Sequence, residues 1–369
     1  MTNNQEAFLA LVRAGLWEKE TRLIPFGNID FSEILSLAED QSVVGLVTAG
    51  LEHVTDVKVP QEVLLQFIGE SLQLEQQNKA MNDFIGKLVN KMRNAGIDTL
   101  LVKGQGIAQC YEKPLWRACG DVDFFLDDEN YEKAKPFLEQ IASDVEPEGS
   151  YLKHAAYTIN DWTVELHGNM RTRHSRRMDR VIDEVQQETF QNREIRTVQI
   201  GRADVQLPAP NNDVIFIFTH FLKHFFGGGI GVRQLCDWCR LMWTYRDSLN
   251  RGLLESRIRK AGIVSEWNAF AAYAVAYLGM PEEAMPLYSE NDKWKVKAKK
   301  ISDIVLSSGT FGHADRSYIH KSPLLIRKIK SLWKGTKERF RLITIFPKDA
   351  MTFYLFFIVN RSNDAMKGE

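Results

Sequence analysis

Gly120-Asp121-Val122-Asp123-Phe124-Phe125 is the stretch on which the reading of the fold turns. In a strand, residues i and i+2 point to the same face. Asp121 and Asp123 therefore project together, while Val122 and Phe124 turn the other way into a core. Upstream, Thr99-Leu100-Leu101-Val102 is a short apolar, β-branched run that follows the turn-like Asn94-Ala95-Gly96. It ends in Lys103-Gly104-Gln105-Gly106, and Ile107 to Tyr111 reads as the start of a helix. Downstream, Val164-Glu165-Leu166-His167 alternates again and sets Glu165 and His167 on one face. The order along the chain is strand, glycine turn, helix, Asp-x-Asp strand, then a Glu-bearing strand.

That order has a chemical meaning. If the two acidic strands are neighbours, Glu165 joins Asp121 and Asp123. Three clustered carboxylates repel one another unless a cation sits between them. Magnesium accepts oxygen ligands and is commonly held by one or two carboxylates with substrate phosphates; manganese is the alternative. Two such ions, about 3.5–4 Å apart, clamp the attacking and leaving oxygens of an in-line displacement. The glycine turn exposes backbone N–H groups before a helix, which favours an anion. Lys103 adds a point charge suited to phosphate, with Gly104 and Gln105 beside it. Arg117, four residues before Asp121, is placed to fork onto a triphosphate. Taken singly, Asp-x-Asp, Lys-Gly-x-Gly and Glu-x-His are weak signals that surface acids and caps also produce. Their order carries the argument.

Around this centre the chain divides into three zones. Residues 1–94 are helical in pattern, with apolar residues at helix spacing in Phe8-Leu9, Leu11-Val12 and Leu16 and again in Leu64-Leu65, Phe67-Ile68 and Leu72. Asp30 or Ser32 is placed to cap one helix, and Pro60 to begin the next, which runs to Arg93 and stops at Gly96. Residues 95–208 hold the carboxylates. Within them Tyr131 to Ile141 reads as a helix and Tyr151 to Ile159 as a strand. The Asn160-Asp161 turn makes Glu165 part of the second arm of a hairpin. A second hairpin is expected from Arg196 to Leu207, with Gly201 at its turn. From residue 209 to 369 the pattern is helical again.

In the helical third zone, His220, Lys223 and His224 fall at i, i+3 and i+4 on one helix face. Either they form the polar edge of a buried helix, or Lys223 and His220 reach a nucleotide from a closing lobe. Gly227-Gly228-Gly229 lacks the order of a P-loop and reads as a connecting loop. Arg233 and Asp237, at i and i+4, are expected to pair. Cys236 and Cys239 stand without a second Cys or His pair, so they are expected to pack in the core rather than hold zinc. Arg171, Arg173, Arg176, Arg177 and Arg180 are either contacts to an acceptor phosphate or nucleic-acid backbone, or a solvated loop. The stretch 321–341 is basic and amphipathic, which suits a membrane surface, a partner helix, or a packed helix with snorkelling lysines.

Composition sets limits. The chain has 369 residues, enough for two or three packed units, and 44% of them are hydrophobic. With 47 Lys and Arg against 48 Asp and Glu, no global field draws it to nucleic acid or membrane. The first residues lack a basic and an apolar segment, so no signal peptide is read there. The run Phe353 to Val359 is too short to span a bilayer. Four cysteines in a chain of this length fit a reducing, cytoplasmic setting.

The residues resemble the uncharacterised nucleotidyltransferase family of bacterial proteins within the DNA polymerase β-type nucleotidyltransferase superfamily. The resemblance lies in Lys103-Gly104, Tyr111, Pro114 and Arg117, then Asp121 and Asp123, then Glu165 and His167 in their Glu-Leu-His setting. It continues in His220, Lys223, His224, Arg233 and Asp237, and covers about residues 95 to 240. Gln105 departs from the Gly-Ser or Gly-Gly turn usual in the superfamily, so Lys103 takes the place of the phosphate-touching Ser. The resemblance implies an α+β fold, a small mixed sheet backed by helices and flanked by helical regions. It implies transfer of an NMP from an NTP, with release of pyrophosphate. Asp121, Asp123 and Glu165 would be the metal ligands and Glu165 the acceptor of a proton. Lys103, Gly104, Gln105, Arg117, His167, His220 and Lys223 would surround the nucleotide. The acceptor is a sugar phosphate, a peptide or protein side chain, a small alcohol or an RNA end. Two other readings keep the site: a phosphotransferase, and a nucleotide-binding scaffold without turnover.

Overall fold

The computed structural model describes residues 1–146, 148, 153–227, 229–309 and 341–352. The basic stretch 321–341 (apart from Arg341), the apolar run 353–359 and Tyr151 at the expected strand start lie outside the described residues.

The chain opens with α1 (Asn3–Trp17), started by a capping box in which the Thr2 side chain accepts from the Gln5 N–H. Asp30 caps α2 (Phe31–Asp40) through the Ser32 and Glu33 N–H groups. Then come α3 (Val44–Leu51) and the long α4 (Gln61–Asn94), which begins directly after Pro60. Next are β1 (Leu100–Val102), the short α5 (Gly104–Ala108) and β2 (Asp121–Phe125). The following helix, α6 (Asp128–Glu139), starts earlier than the spacing suggests because the Asp127 side chain caps it through Asn130 N–H. β3 (Asp144–Glu146), β4 (His154–Ile159) and β5 (Trp162–His167) follow. After α7 (Arg176–Gln191) come β6 (Ile195–Ile200) and β7 (Ala203–Pro208). The rest is helical: α8 (Pro210–Gly227), α9 (Val232–Thr244), α10 (Arg251–Ala261), α11 (Val264–Leu278), α12 (Asp292–Ser308) and turns at 341–345 and 347–352. The fold is α+β.

The main sheet has the order β1-β2-β5-β4-β3. Only the β2–β5 pair is parallel; β1–β2, β5–β4 and β4–β3 are antiparallel. Asn160 and Asp161, with φ of 47° and 68°, make the two-residue turn between β4 and β5. Both residues at positive φ is the hairpin turn whose twist matches its strands, and Asn and Asp tolerate it. β6 and β7 form a separate hairpin around Gly201, at φ 59°.

Two cores meet at this sheet. Val122, Phe124, Val164 and Leu166 are at most 1% exposed and pack with Met81, Ile85 and Val89 of α4 and Tyr131 and Leu138 of α6. Each such side chain contributes roughly 1.5–3 kcal/mol by leaving water. The opposite face carries Asp121 and Asp123 near the start of β2 and Phe125 at its end. Phe125 packs edge-on against Phe190 of α7 and Phe216 of α8, with ring centroids 4.7 and 5.3 Å away. Phe125 thereby joins a second core shared by α1–α3 and α8–α12. Helices from both ends of the chain thus share the core that Phe125 enters. No helix among the described residues is long and apolar enough to cross a membrane.

Glu266, in the first turn of α11, is fully buried, and burial with the neighbouring Asp349 pushes its carboxyl up to about 9. Below the unfolded value both states hold the proton, so this group does not alter stability there. As pH rises further the unfolded chain ionises while the folded one stays protonated, and stability falls by up to about 1.4 kcal/mol per pH unit until the folded value is reached. Glu266→Gln is therefore expected to gain stability over wild type steadily from pH 5 to pH 8. Urea unfolding at the two pH values checks it, and a pH-independent difference rejects it.

Candidate functional site

The site begins with the turn between β1 and α5. Lys103 sits at φ 58°, ψ −146°, backbone space that glycine usually fills and that costs other residues on the order of 1–3 kcal/mol. Gly104 follows at φ 36°, and a Cβ there would stand 3.0 Å from Cys119 Sγ and 3.5 Å from the Asp121 carbonyl oxygen. This close approach needs glycine and sets the turn directly against β2. The Lys103 side chain then reaches across, and its Nζ donates to Asp123 Oδ1 at 2.8 Å.

The parallel pairing of β2 with β5 sets Asp123 opposite Glu165 and Phe125 opposite His167. Carboxylate oxygens of Asp121, Asp123 and Glu165 all lie within 4.8 Å of one another. His167 Nε2 lies 2.7 Å from Asp123 Oδ1 and 3.4 Å from Glu165 Oε2. His154, on β4, sets its Nε2 3.1 Å from the same Glu165 oxygen.

These contacts divide the three acids electrostatically. Burial and the neighbouring Asp123 push Asp121 above the usual carboxylate range, and among the described residues it has no hydrogen-bond partner. Burial acts to raise Asp123 as well, but Lys103 and His167 outweigh it and hold it low. Hydrogen bonds from His154 and His167 hold Glu165 well below the usual range, against the effect of burial. For Lys103, burial pulls downward, yet Asp123, Glu165 and Asp121 together keep it above its ordinary value. The donor set is all oxygen and carries more negative charge than Lys103 offsets, which fits a hard divalent cation.

α8 supplies the opposite wall. Burial, then the charge of Lys103, His224 and Lys223, drives His220 well below its ordinary value, so it is neutral; burial and the same lysines bring His224 to about 4. Their Nε2 atoms are 3.1 Å apart. Burial and the positive charges of Lys103 and Arg173 lower Lys223, and it has no ion pair among the described residues. Lys223 is thus a partly desolvated lysine within electrostatic reach of Lys103 and Glu165. The structure brings Lys103, Gly104, Asp121, Asp123, Glu165, His167, His220 and Lys223 into one neighbourhood.

Two residues expected beside a nucleotide are engaged with partners inside the protein. Arg117 turns its fork to a carboxylate. Its Nε and Nη2 close on Asp237 of α9 at 3.0 and 2.6 Å, and Nη1 donates to the Ala118 carbonyl at 3.0 Å. Tyr111 donates to the same carboxylate at 2.8 Å. A planar fork fits carboxylate and phosphate alike, and a buried Asp237 takes it first. Asp237 accordingly pairs with Arg117 rather than with Arg233, whose Nη1 donates to the Ala118 carbonyl at 2.7 Å. Gln105 likewise turns inward and donates to Asn78 Oδ1 at 2.7 Å.

Two residues were not visible in the chain's motifs. Asn78, in the middle of α4, donates to the carbonyls of Leu115 and Arg117 at 2.8 and 2.9 Å, pinning the segment that leads into β2. His154 stands opposite His167 in the hairpin. Counting outward from the Asn160-Asp161 turn would have found it, because both histidines lie the same number of residues from that turn. Of the arginine-rich stretch, Arg171 forks onto Asp183, while Arg176, Arg177 and Arg180 fall in the first turns of α7. Cys236 and Cys239 are buried and free.

A family model described as uncharacterised nucleotidyltransferase matches residues 27–279. No curated protein matches the chain. Among solved structures, an antigenic nucleotidyltransferase-like protein from Paracoccidioides brasiliensis is similar, at 14% identity over 50% of this chain and 90% of that chain. The TM-score is 0.30, too faint a likeness to bear on the site.

Proposed function

The chain belongs to the uncharacterised nucleotidyltransferase family, and we propose that it moves an NMP from an NTP to a hydroxyl or phosphate acceptor with release of pyrophosphate. The observation that carries this reading is the convergence of Asp121, Asp123 and Glu165 beneath the Lys103-Gly104 turn, with Lys223 opposite. The three carboxylates would hold magnesium, which when bound neutralises charge on the phosphates and on the entering and leaving oxygens.

The chain's own residues supply position and charge. Lys103 stays protonated and lies between Asp123 and the space over the turn, where a phosphate would accept from it. Gly104 lets the backbone come close. Lys223, partly desolvated and without an ion pair among the described residues, gains most from an arriving triphosphate, since the pairing relieves its burial. Neutral His220 offers a hydrogen bond without adding charge. His167 and Lys103 both donate to the same Asp123 oxygen and so fix which way that carboxylate faces. Glu165, held low by His154 and His167, is ionised and ready to serve as a metal ligand, and it is the carboxylate that would take the acceptor's proton. Catalysis by placement and charge is the general pattern of phosphoryl transfer.

Calorimetric titration of each NTP, with and without magnesium, tests this on wild type and on Asp121→Asn/Asp123→Asn. Magnesium-dependent binding lost in the variant supports the reading. Absence of NTP binding by wild type rejects it. Product mass then separates an added NMP from an added phosphate.

A further inference from the structure

We propose that His154, Glu165 and His167 form a second cation site, one that takes a zinc-type ion rather than magnesium. His154 is not needed for the transfer reading, whereas Glu165 and His167 are shared with it.

His154 Nε2 and His167 Nε2 both point at one oxygen, Glu165 Oε2, from 3.1 and 3.4 Å. Zinc binds imidazole nitrogen and carboxylate oxygen at about 2.0–2.1 Å, so two ligand atoms across a tetrahedral angle stand about 3.3 Å apart. The two observed separations bracket that value. All three ligand atoms lie within 4.8 Å of one another. Two imidazoles and one carboxylate suit zinc, copper, iron or nickel, whereas magnesium prefers oxygen alone.

The strands hold this arrangement rigidly. His154 and His167 are register partners across the β4–β5 hairpin, and their rings sit 4.9 Å apart. Glu165 is two residues from His167 on the same face. Three protein ligands leave a position open, the form of a reactive rather than a purely structural zinc site. The His154 side chain is 39% exposed, so solvent or an acceptor reaches that side.

His167 Nε2 also lies at hydrogen-bond distance from Asp123. A neutral imidazole carries one proton on either nitrogen, so shifting it to Nδ1 frees Nε2 for the ion. Asp123 then keeps its bond from Lys103. The chemical consequence is an electrophilic ion beside the carboxylates, close to where an acceptor would approach.

The experiment uses the full chain stripped of metal, with no nucleotide present. Cobalt(II) is added and its visible absorption is followed, with zinc and then magnesium as competitors. The expected result is one equivalent of cobalt in a low-coordinate environment, displaced by zinc and not by excess magnesium. His154→Ala should weaken it at least about tenfold, and Asp121→Asn should leave it in place. Equal binding by His154→Ala, or equal loss in Asp121→Asn, overturns the proposal. Far-UV circular dichroism checks that both variants fold. Independently of any variant, one equivalent of zinc should shift the ring-nitrogen NMR signals of two of the eight histidines in wild type. No shift overturns the site. Because no NTP enters these measurements, failure here and failure of the transfer reading are read separately.

Discussion

Asp121→Asn is expected to lose roughly 10²–10³-fold or more in turnover while unfolding no more easily than wild type. The two halves of this result have one cause. Asp121 is partly buried, lies beside Asp123, and its carboxylate has no hydrogen bond from the described residues to compensate. Its ionised form is unfavourable in the folded, metal-free protein. Its folded value is raised, so above the unfolded value the charge costs stability that asparagine does not incur. The same uncompensated carboxylate is what makes a strong cation ligand. Asp123→Asn should behave differently: turnover falls comparably, but stability falls as well, because buried Lys103 loses its partner. Urea unfolding and single-turnover assays on the two variants give the comparison. Equal destabilisation by both would show that Asp121 has a structural role.

Asp237→Ala is expected to cost about 3–5 kcal/mol of stability, the loss that follows when one partner of a buried ion pair is removed. Arg117 and Asp237 are each about 6% exposed in their side chains. Removing Asp237 strands the Arg117 guanidinium and the Tyr111 hydroxyl in the core. Replacing both partners, as in Arg117→Met/Asp237→Leu, should recover much of that loss, since no buried charge remains. The double variant also separates two roles for Arg117. If the arginine only ties α9 to the segment before β2, magnesium-dependent NTP binding persists in the double variant. If the arginine touches the nucleotide, binding is lost although the fold is stable. Denaturation midpoints and calorimetry on the same preparations decide it.

Much of the carboxylate face was legible in the chain. Alternation over Asp121–Phe125 and Val164–His167 is a local property, because successive side chains in a strand must point to opposite faces. The Asn160-Asp161 hairpin was legible for the same reason: two residues that accept positive φ, flanked by apolar runs, specify a turn within a few residues. Even the His154–His167 register follows from that turn by counting. Arg117 and Gln105 have protein partners that the chain does not show. Their donors suit phosphate as well as they suit Asp237 and Asn78, and spacing does not say which acceptor is nearer. Asn78 left no trace because its partners are backbone carbonyls, which every residue offers.

The sequence by itself determined which residues share a face and where the glycine turn and hairpins fall. Each of these depends on neighbours a few residues away. The tertiary structure alone decided that β2 lies parallel to β5, with α6, β3 and β4 between them in the chain. That pairing depends on burying Val122, Phe124, Val164 and Leu166 together against α4 and α6, a gain shared over many distant residues. It alone decided that α1–α3 and α8–α12 share one core. It alone decided that Lys223 ends partly desolvated and within electrostatic reach of Lys103, because only the packed helix fixes what surrounds that charge.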